Sequence, residues 1–129
     1  MFERLISLVG EDNFNLFQNK KTLLIGLGGV GSYSLEALVR SGFNNITVID
    51  FDVIEPSNLN RQLITKQSNI GKPKVEEAAI RATEINPDIN INSVNIKLDA
   101  NNLLDILNEN YDYVIDACDD INIKFQIIK

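Results

Sequence analysis

One cysteine and no histidine are found among the 129 residues, and positive charge is scarce, with 12 Lys and Arg against 18 Asp and Glu. A single cysteine permits no internal disulfide, which points to a reducing compartment. The net charge of −6 argues against a nucleic-acid platform, because phosphate backbones reward clustered Lys and Arg. A large anionic partner would dock elsewhere or use a local patch. No apolar run approaches the roughly 20 residues that cross a bilayer, so no membrane span is expected. The opening Met1-Phe2-Glu3-Arg4 has no basic segment followed by an apolar one. No secretory signal is visible there, and a cytoplasmic location is expected. Internal repeats, low-complexity tracts and flexible linkers are also missing.

What is present is concentrated in Thr22-Leu23-Leu24-Ile25-Gly26-Leu27-Gly28-Gly29-Val30-Gly31. It reads as a buried strand breaking into a glycine turn that enters a helix from Ser32 to Arg40. Gly26, Gly28 and Gly31 have the G-x-G-x-x-G spacing, with Gly29 as an extra glycine. Such glycines permit a tight turn, close backbone approach to phosphates, and close helix–strand packing. The helix N-terminus then offers unpaired amides and a positive dipole end to an anion. A second apolar run, Ile46 to Ile49, ends in Asp50, where a ribose-binding carboxylate is expected. Read alone, Asp50 is equally a solvated strand end.

Around this unit the chain alternates. Residues 2–9 have an amphipathic helix pattern stopped by Gly10, and Phe14 and Phe17 anchor a second short turn. These make a helical N-terminal segment over 1–20, followed by a nucleotide-binding domain over 21–129. A polar, turn-rich stretch runs from Glu55 to Gly71. Val75, Ala78, Ala82 and Ile85 then mark a helix face, bounded by Pro73 and by Asn86-Pro87. Ile89 to about Ile96 reads as a third strand, Leu103 to Leu107 as a short helix, and Tyr113 to Ile115 as a fourth strand. Strands alternating with helices predict an α/β, doubly wound, mainly parallel sheet with helices on both faces. Residues 121–129 look like the opening of a helix with no stop signal, so the chain reads as the N-terminal piece of a longer protein.

The residues after Asp50 direct the reading away from a dinucleotide. Arg61 and Lys74 offer two more positive charges, suited to a third phosphate or a departing pyrophosphate. Asn58 and Gln62 add neutral donors, and Asp119 follows a parallel strand, at the end where open α/β sheets bind ligands. One carboxylate plus phosphates is the usual way to hold magnesium. Singly, each has a plain reading: Arg61 and Lys74 as surface charges, Asp119 as a helix N-cap beside Asp120, and Asp52 as either a supporting or an exposed residue. Cys118 reads as a small buried residue more readily than as a nucleophile. Lys124 contacts phosphate or covers polar surface. In this order and at these spacings, the set reads as an ATP and magnesium site.

These residues resemble the superfamily that contains the ubiquitin-activating enzymes and the bacterial adenylyltransferases for sulfur-carrier proteins (the ThiF, MoeB and HesA group). The motifs are Gly26-x-Gly28-Gly29-x-Gly31, Asp50-x-Asp52, Ser57-Asn58-x-Asn60-Arg61-Gln62, Gly71-x-x-Lys74, Ile85-Asn86-Pro87 and Asp116-x-x-Asp119. The likeness implies ribose binding by Asp50, phosphate contacts by Asn58, Arg61, Gln62 and Lys74, and magnesium at Asp119. Arg4 looks like the family's arginine finger, which reaches the triphosphate from the partner subunit of a homodimer; read alone, it is a solvated helix residue. Within the superfamily, Arg4…Leu8-Val9-Gly10-Glu11 and Gly29-Val30-Gly31-Ser32-Tyr33…Glu36-Ala37-Leu38 resemble the tRNA threonylcarbamoyladenosine dehydratase branch. So does Asp116-Ala117-x-Asp119 with Lys124, although Cys118 stands where an aliphatic residue is expected. That branch implies ATP-dependent activation of a carboxylate on a modified tRNA adenosine, which then cyclises. The rival readings are an adenylyltransferase acting on a sulfur-carrier protein, a non-catalytic partner-binding subunit, and an NAD-dependent oxidoreductase.

Overall fold

In the computed structural model, residues 2–60 and 62–118 are described, so Arg61, Asp119 and Lys124 lie outside the described residues. The strands are β1 (Lys21–Ile25), β2 (Asn45–Ile49), β3 (Asn90–Val94) and β4 (Tyr113–Asp116). They form one sheet in the order β3-β2-β1-β4, with every pairing parallel. Leu23, Leu24 and Ile25 of the central β1 are fully buried, as a strand covered on both faces requires. The outer β3, paired to β2, carries Asn90, Asn92 and Ser93 in exposed positions.

Side chains alternate along the strands and divide the core in two. Leu24, Ile46 and Val48 face α3 (Gly29–Arg40) and α4 (Lys74–Ile85), meeting Leu35, Val39, Val75, Ala78 and Ala82. Leu23, Ile25 and Ile49 face the other way, onto Leu103 of α5 (Ala100–Leu107). The chain steps outward from β1 through β2 to β3, then returns across the sheet to lay β4 on the other side of β1. This is the Rossmann-like doubly wound arrangement. Its topological switch lies between β1 and β4, and a crevice opens there at the carboxyl ends of the strands.

Two short helices, α1 (Glu3–Val9) and α2 (Glu11–Asn19), precede the sheet. Phe14 of α2 is buried and seats on Gly42, whose φ is +91° and where a Cβ would stand 2.5 Å from the Phe14 ring. Phe17 stacks on Phe43 at 5.5 Å between ring centroids. The Asn45 side-chain amide donates to the Gln18 carbonyl at 3.1 Å. These contacts fix α2 at the amino end of the strands, opposite the crevice. No helix among the described residues is long and apolar enough to cross a membrane.

Several boundaries differ from the sequence expectation, including α5, which begins at Ala100 instead of Leu103 behind the Asp99 cap. α3 begins at Gly29 instead of Ser32, because low helix propensity makes the glycines read as loop although the first turn needs no amide partners of its own. α2 is a full helix of nine residues, favoured by Glu11 and Asp12 in its first turn, where the dipole is positive. β3 ends at Val94 because Ile96 and Leu98 leave the sheet to pack on the α5 side. Across the other face, Arg81 of α4 grips Glu36 of α3 through two bonds of 2.8 and 2.9 Å, and Arg40 adds a third at 2.9 Å. The Arg81 guanidinium, and Arg40 with it, hold the Glu36 carboxyl below its ordinary range against the cost of burial.

Candidate functional site

The crevice is built on the glycine turn. Gly26 donates to the Ile49 carbonyl at 2.8 Å, and Ala117 donates to the Ile25 carbonyl at 2.8 Å, so the ends of β2, β1 and β4 converge there. Gly26 has φ +97°, and a Cβ on it would stand 2.7 Å from the Ala117 oxygen. A Cβ on Gly31 would overlap the Gly26 carbonyl, so α3 lies against the turn as closely as backbone allows. Gly28 is different. It caps α3 at φ −75° with no side-chain cap, and a Cβ there would meet nothing within 4 Å. Crowding within the chain therefore does not require glycine at 28, whereas backbone approach by a ligand does. α3 begins at the next residue, so Gly28 lines the crevice at a helix N-terminus.

Asp50 ends β2 and ties two backbone segments together. One carboxylate oxygen accepts the Leu27 N–H at 2.7 Å and the other accepts the Asp52 N–H at 2.8 Å. An ionised carboxylate has about four lone-pair sites, so two remain for hydroxyl donors. Asp50 thus shapes the glycine turn while staying on the crevice wall.

The polar stretch after β2 is an ordered clip. Ile54 donates to Lys72 at 2.9 Å, Gly71 donates to Ile54 at 2.7 Å, and Lys74 donates to the Asp52 carbonyl at 3.0 Å. Buried side-chain amides hold its two short turns. Asn58 accepts the Glu55 N–H at 2.9 Å, and Asn69 donates to the Ile64 carbonyl at 2.7 Å. The Ser32 hydroxyl accepts the Leu63 N–H at 3.3 Å, joining the clip to the start of α3. This brings Asn58, Gln62 and Lys74 to the crevice with Gly26, Gly28, Asp50 and Asp52.

Lys74 carries the electrostatic argument. Its side chain is 6% exposed, its Nζ is 4.0 Å from an Asp52 oxygen, and that Asp52 side chain is 55% exposed. It is also the first residue of α4, the end where the helix dipole disfavours a cation. A buried ammonium whose ion pair is long and half-exposed gains from a further anion. The crevice encloses about 530 Å³, within the range of small-molecule sites. It has room for a small-molecule ligand, with Lys74 as a buried cation on its wall.

Of the remaining sequence-predicted residues, Gly29 and Gly31 lie in the first turn of α3. Arg4 is exposed on α1 and does not line the crevice. Among the described residues no three acidic or thiol side chains cluster as a metal site. Sequence reasoning missed the far wall of the crevice, formed by Phe51, Ile96, Lys97 and Leu98, with the Lys97 ammonium 5.6 Å from the Phe51 ring centroid. The alternation Ile89, Ile91, then Ile96, Leu98 was the available signal. Half-buried Cys118 also lines the crevice, and its N–H donates to Asp116 at 3.1 Å.

Comparisons with known proteins agree with this geometry. The ThiF family model matches residues 2–129. The chain is similar to a tRNA threonylcarbamoyladenosine dehydratase of Haemophilus influenzae, with 45% identity over 105 residues that make up 81% of this chain and 40% of that protein. It is similar to a molybdopterin-synthase adenylyltransferase of the same organism, with 37% identity over 95% of this chain and 50% of that protein. The crystal structure of E. coli tRNA N6-threonylcarbamoyladenosine dehydratase in complex with ATP superposes with a TM-score of 0.96. Its identity is 36%, over 98% of this chain and 52% of that one. The chain thus spans about half the length of the curated relatives it matches. A matching family model over the glycine turn, the clip and the crevice alike makes the chain a member of the ThiF family.

Proposed function

We propose that this chain is the ATP-binding half of an enzyme that activates a carboxylate by adenylation, and that the carboxylate belongs to threonylcarbamoyladenosine in tRNA. The observation that carries the nucleotide reading is the buried Lys74 ammonium beside the open Gly28 turn. In this reading the α3 amides and Lys74 hold the phosphates, Asn58 orients them, and Asp50 accepts the ribose hydroxyls. Arg61 adds a second cation, and Asp52 positions Lys74. Asp119 would hold magnesium, which neutralises phosphate charge when bound. Arg4 would reach the triphosphate from a second copy of the chain in a homodimer. The acceptor carboxylate attacks the α-phosphorus, an acyl-adenylate forms, and pyrophosphate leaves. Positioning and charge stabilisation do most of this work. Since a carboxylate is already a nucleophile, the absence of histidine is no obstacle. The cytoplasm, where tRNA is modified, is the proposed location.

A second acceptor class is favoured by one comparison, because the molybdopterin-synthase adenylyltransferase matches nearly the whole chain. There a sulfur-carrier protein would supply the carboxylate. The non-catalytic reading leaves the placement of Lys74 without a use, and the dinucleotide reading leaves it without a third phosphate.

The test uses the full-length gene product with Mg-ATP and tRNA bearing threonylcarbamoyladenosine. We expect nucleoside mass spectrometry to find a product lighter by one water, formed in step with AMP. With a net charge of −6, this half repels tRNA, so docking is expected to rely on segments beyond it. Unchanged nucleoside, with pyrophosphate released only when a sulfur-carrier protein is added, would transfer the assignment to the second acceptor.

A further inference from the structure

Gln62 lines the crevice at 6% exposure, and its Oε1 is buried with no hydrogen-bond partner among the described residues. Three residues on, the Thr65 hydroxyl is buried in the same condition, and the two residues share a turn in which Thr65 N–H donates to the Gln62 carbonyl at 3.1 Å. Buried polar atoms without partners are rare in proteins and destabilise the fold that holds them. Their concentration in one turn beside the crevice marks a segment whose hydrogen bonding is completed by something else. A phosphate bearing no proton offers acceptors alone, so it leaves an amide oxygen unsatisfied. The hydrogens on a nucleotide that suit it are the ribose hydroxyls and the amino group of the base.

We propose that Gln62 is a nucleotide-responsive acceptor, whose Oε1 takes a hydrogen bond from a hydroxyl or amino hydrogen of the bound nucleotide as the Gln62–Thr65 turn adjusts. This rests on the nucleotide reading above, and it replaces the expectation of Gln62 as a phosphate donor with the opposite polarity. It makes Gln62 a specificity residue that lowers the stability of the nucleotide-free protein and strengthens the complex.

The experiment compares the full-length parent with Q62L and Q62E, titrating Mg-ATP, its 2′-deoxy and 3′-deoxy analogues, and the purine triphosphate lacking the amino group. Loss of one such hydrogen bond corresponds to about tenfold in Kd. We expect the parent to bind one analogue about tenfold more weakly than ATP. Q62L is expected to lose about that factor on ATP and nothing further on that analogue. Q62E keeps an acceptor oxygen and is expected to retain the discrimination. The nucleotide-free Q62L protein is expected to melt no lower than the parent, since an apolar group replaces an unsatisfied polar one. Which analogue loses the coupling identifies the sugar or the base as the donor. An unchanged ATP affinity in Q62L, or one uniform loss across all four nucleotides, overturns the proposal while leaving the nucleotide site intact. A parent that binds no Mg-ATP overturns the nucleotide reading itself.

Discussion

Replacing Lys74 with methionine in the full-length gene product is expected to cut adenylate formation steeply while leaving the nucleotide-free protein as stable as before. The substitution keeps most of the side-chain volume and removes the charge. Truncating one partner of a desolvated charge pair costs about 2–5 kcal/mol, which is roughly thirtyfold to several thousandfold. The stability arm runs the other way. Without a bound anion, Lys74 is a buried cation at a helix N-terminus, and the partly exposed carboxylate of Asp52 stands 4.0 Å away. Little favourable interaction is lost, and the desolvation cost of an ammonium is relieved. Turnover at saturating acceptor, read beside the melting temperature, separates the two roles. Turnover within threefold of the parent would mean that Lys74 touches no phosphate.

Two glycines three residues apart are expected to fail in different ways. Gly31→Ala places a methyl on the Gly26 carbonyl, a backbone atom that cannot yield. Overpacking of this kind costs about 1–3 kcal/mol or more, so the melting temperature falls and nucleotide binding falls with it. Gly28→Ala meets nothing within 4 Å and has a φ of −75°, open to any residue. Its stability is expected to stay within about 0.5 kcal/mol of the parent. Nucleotide affinity is nevertheless expected to drop by at least about tenfold, because the new methyl occupies the space where phosphate meets the α3 amides. Calorimetric titration of Mg-ATP into both variants checks this. Equal affinities in Gly28→Ala and the parent would show that no ligand approaches the turn there.

The sheet was readable because its central strands carry continuous apolar runs, and parallel strands covered on both faces need little else. The glycine turn was readable because Gly26 and Gly31 answer steric demands that other residues fail to meet. Asp50 was readable by position but not in its whole role, since the Leu27 and Asp52 amides it holds carry no side-chain signature. The wall of Phe51, Ile96, Lys97 and Leu98 escaped detection for another reason. Phe51 follows β2 while the other three follow β3, and the chain's path back across the sheet, not local pattern, brings them to one crevice. The burial of Lys74 was equally hidden, because a lysine at a helix start reads as solvated, and only the folded chain shows it 5% exposed. Arg4 was read as reaching the triphosphate from the partner subunit of a homodimer. Its place on α1, tied through α2 to the amino end of the sheet and away from its own chain's crevice, leaves that role to a second copy.

The central claim is that the crevice binds a nucleoside triphosphate, and competition between Mg-ATP and NAD tests it most directly. Both ligands have the adenosine and pyrophosphate that a glycine turn accepts; only ATP has a further phosphate for Lys74. In a thermal-shift series on the full-length gene product at matched concentrations, Mg-ATP is expected to raise the melting temperature far more than NAD. At one hundred times its dissociation constant it should add about 2.7 kcal/mol of stability. An equal or larger shift with NAD would contradict the account.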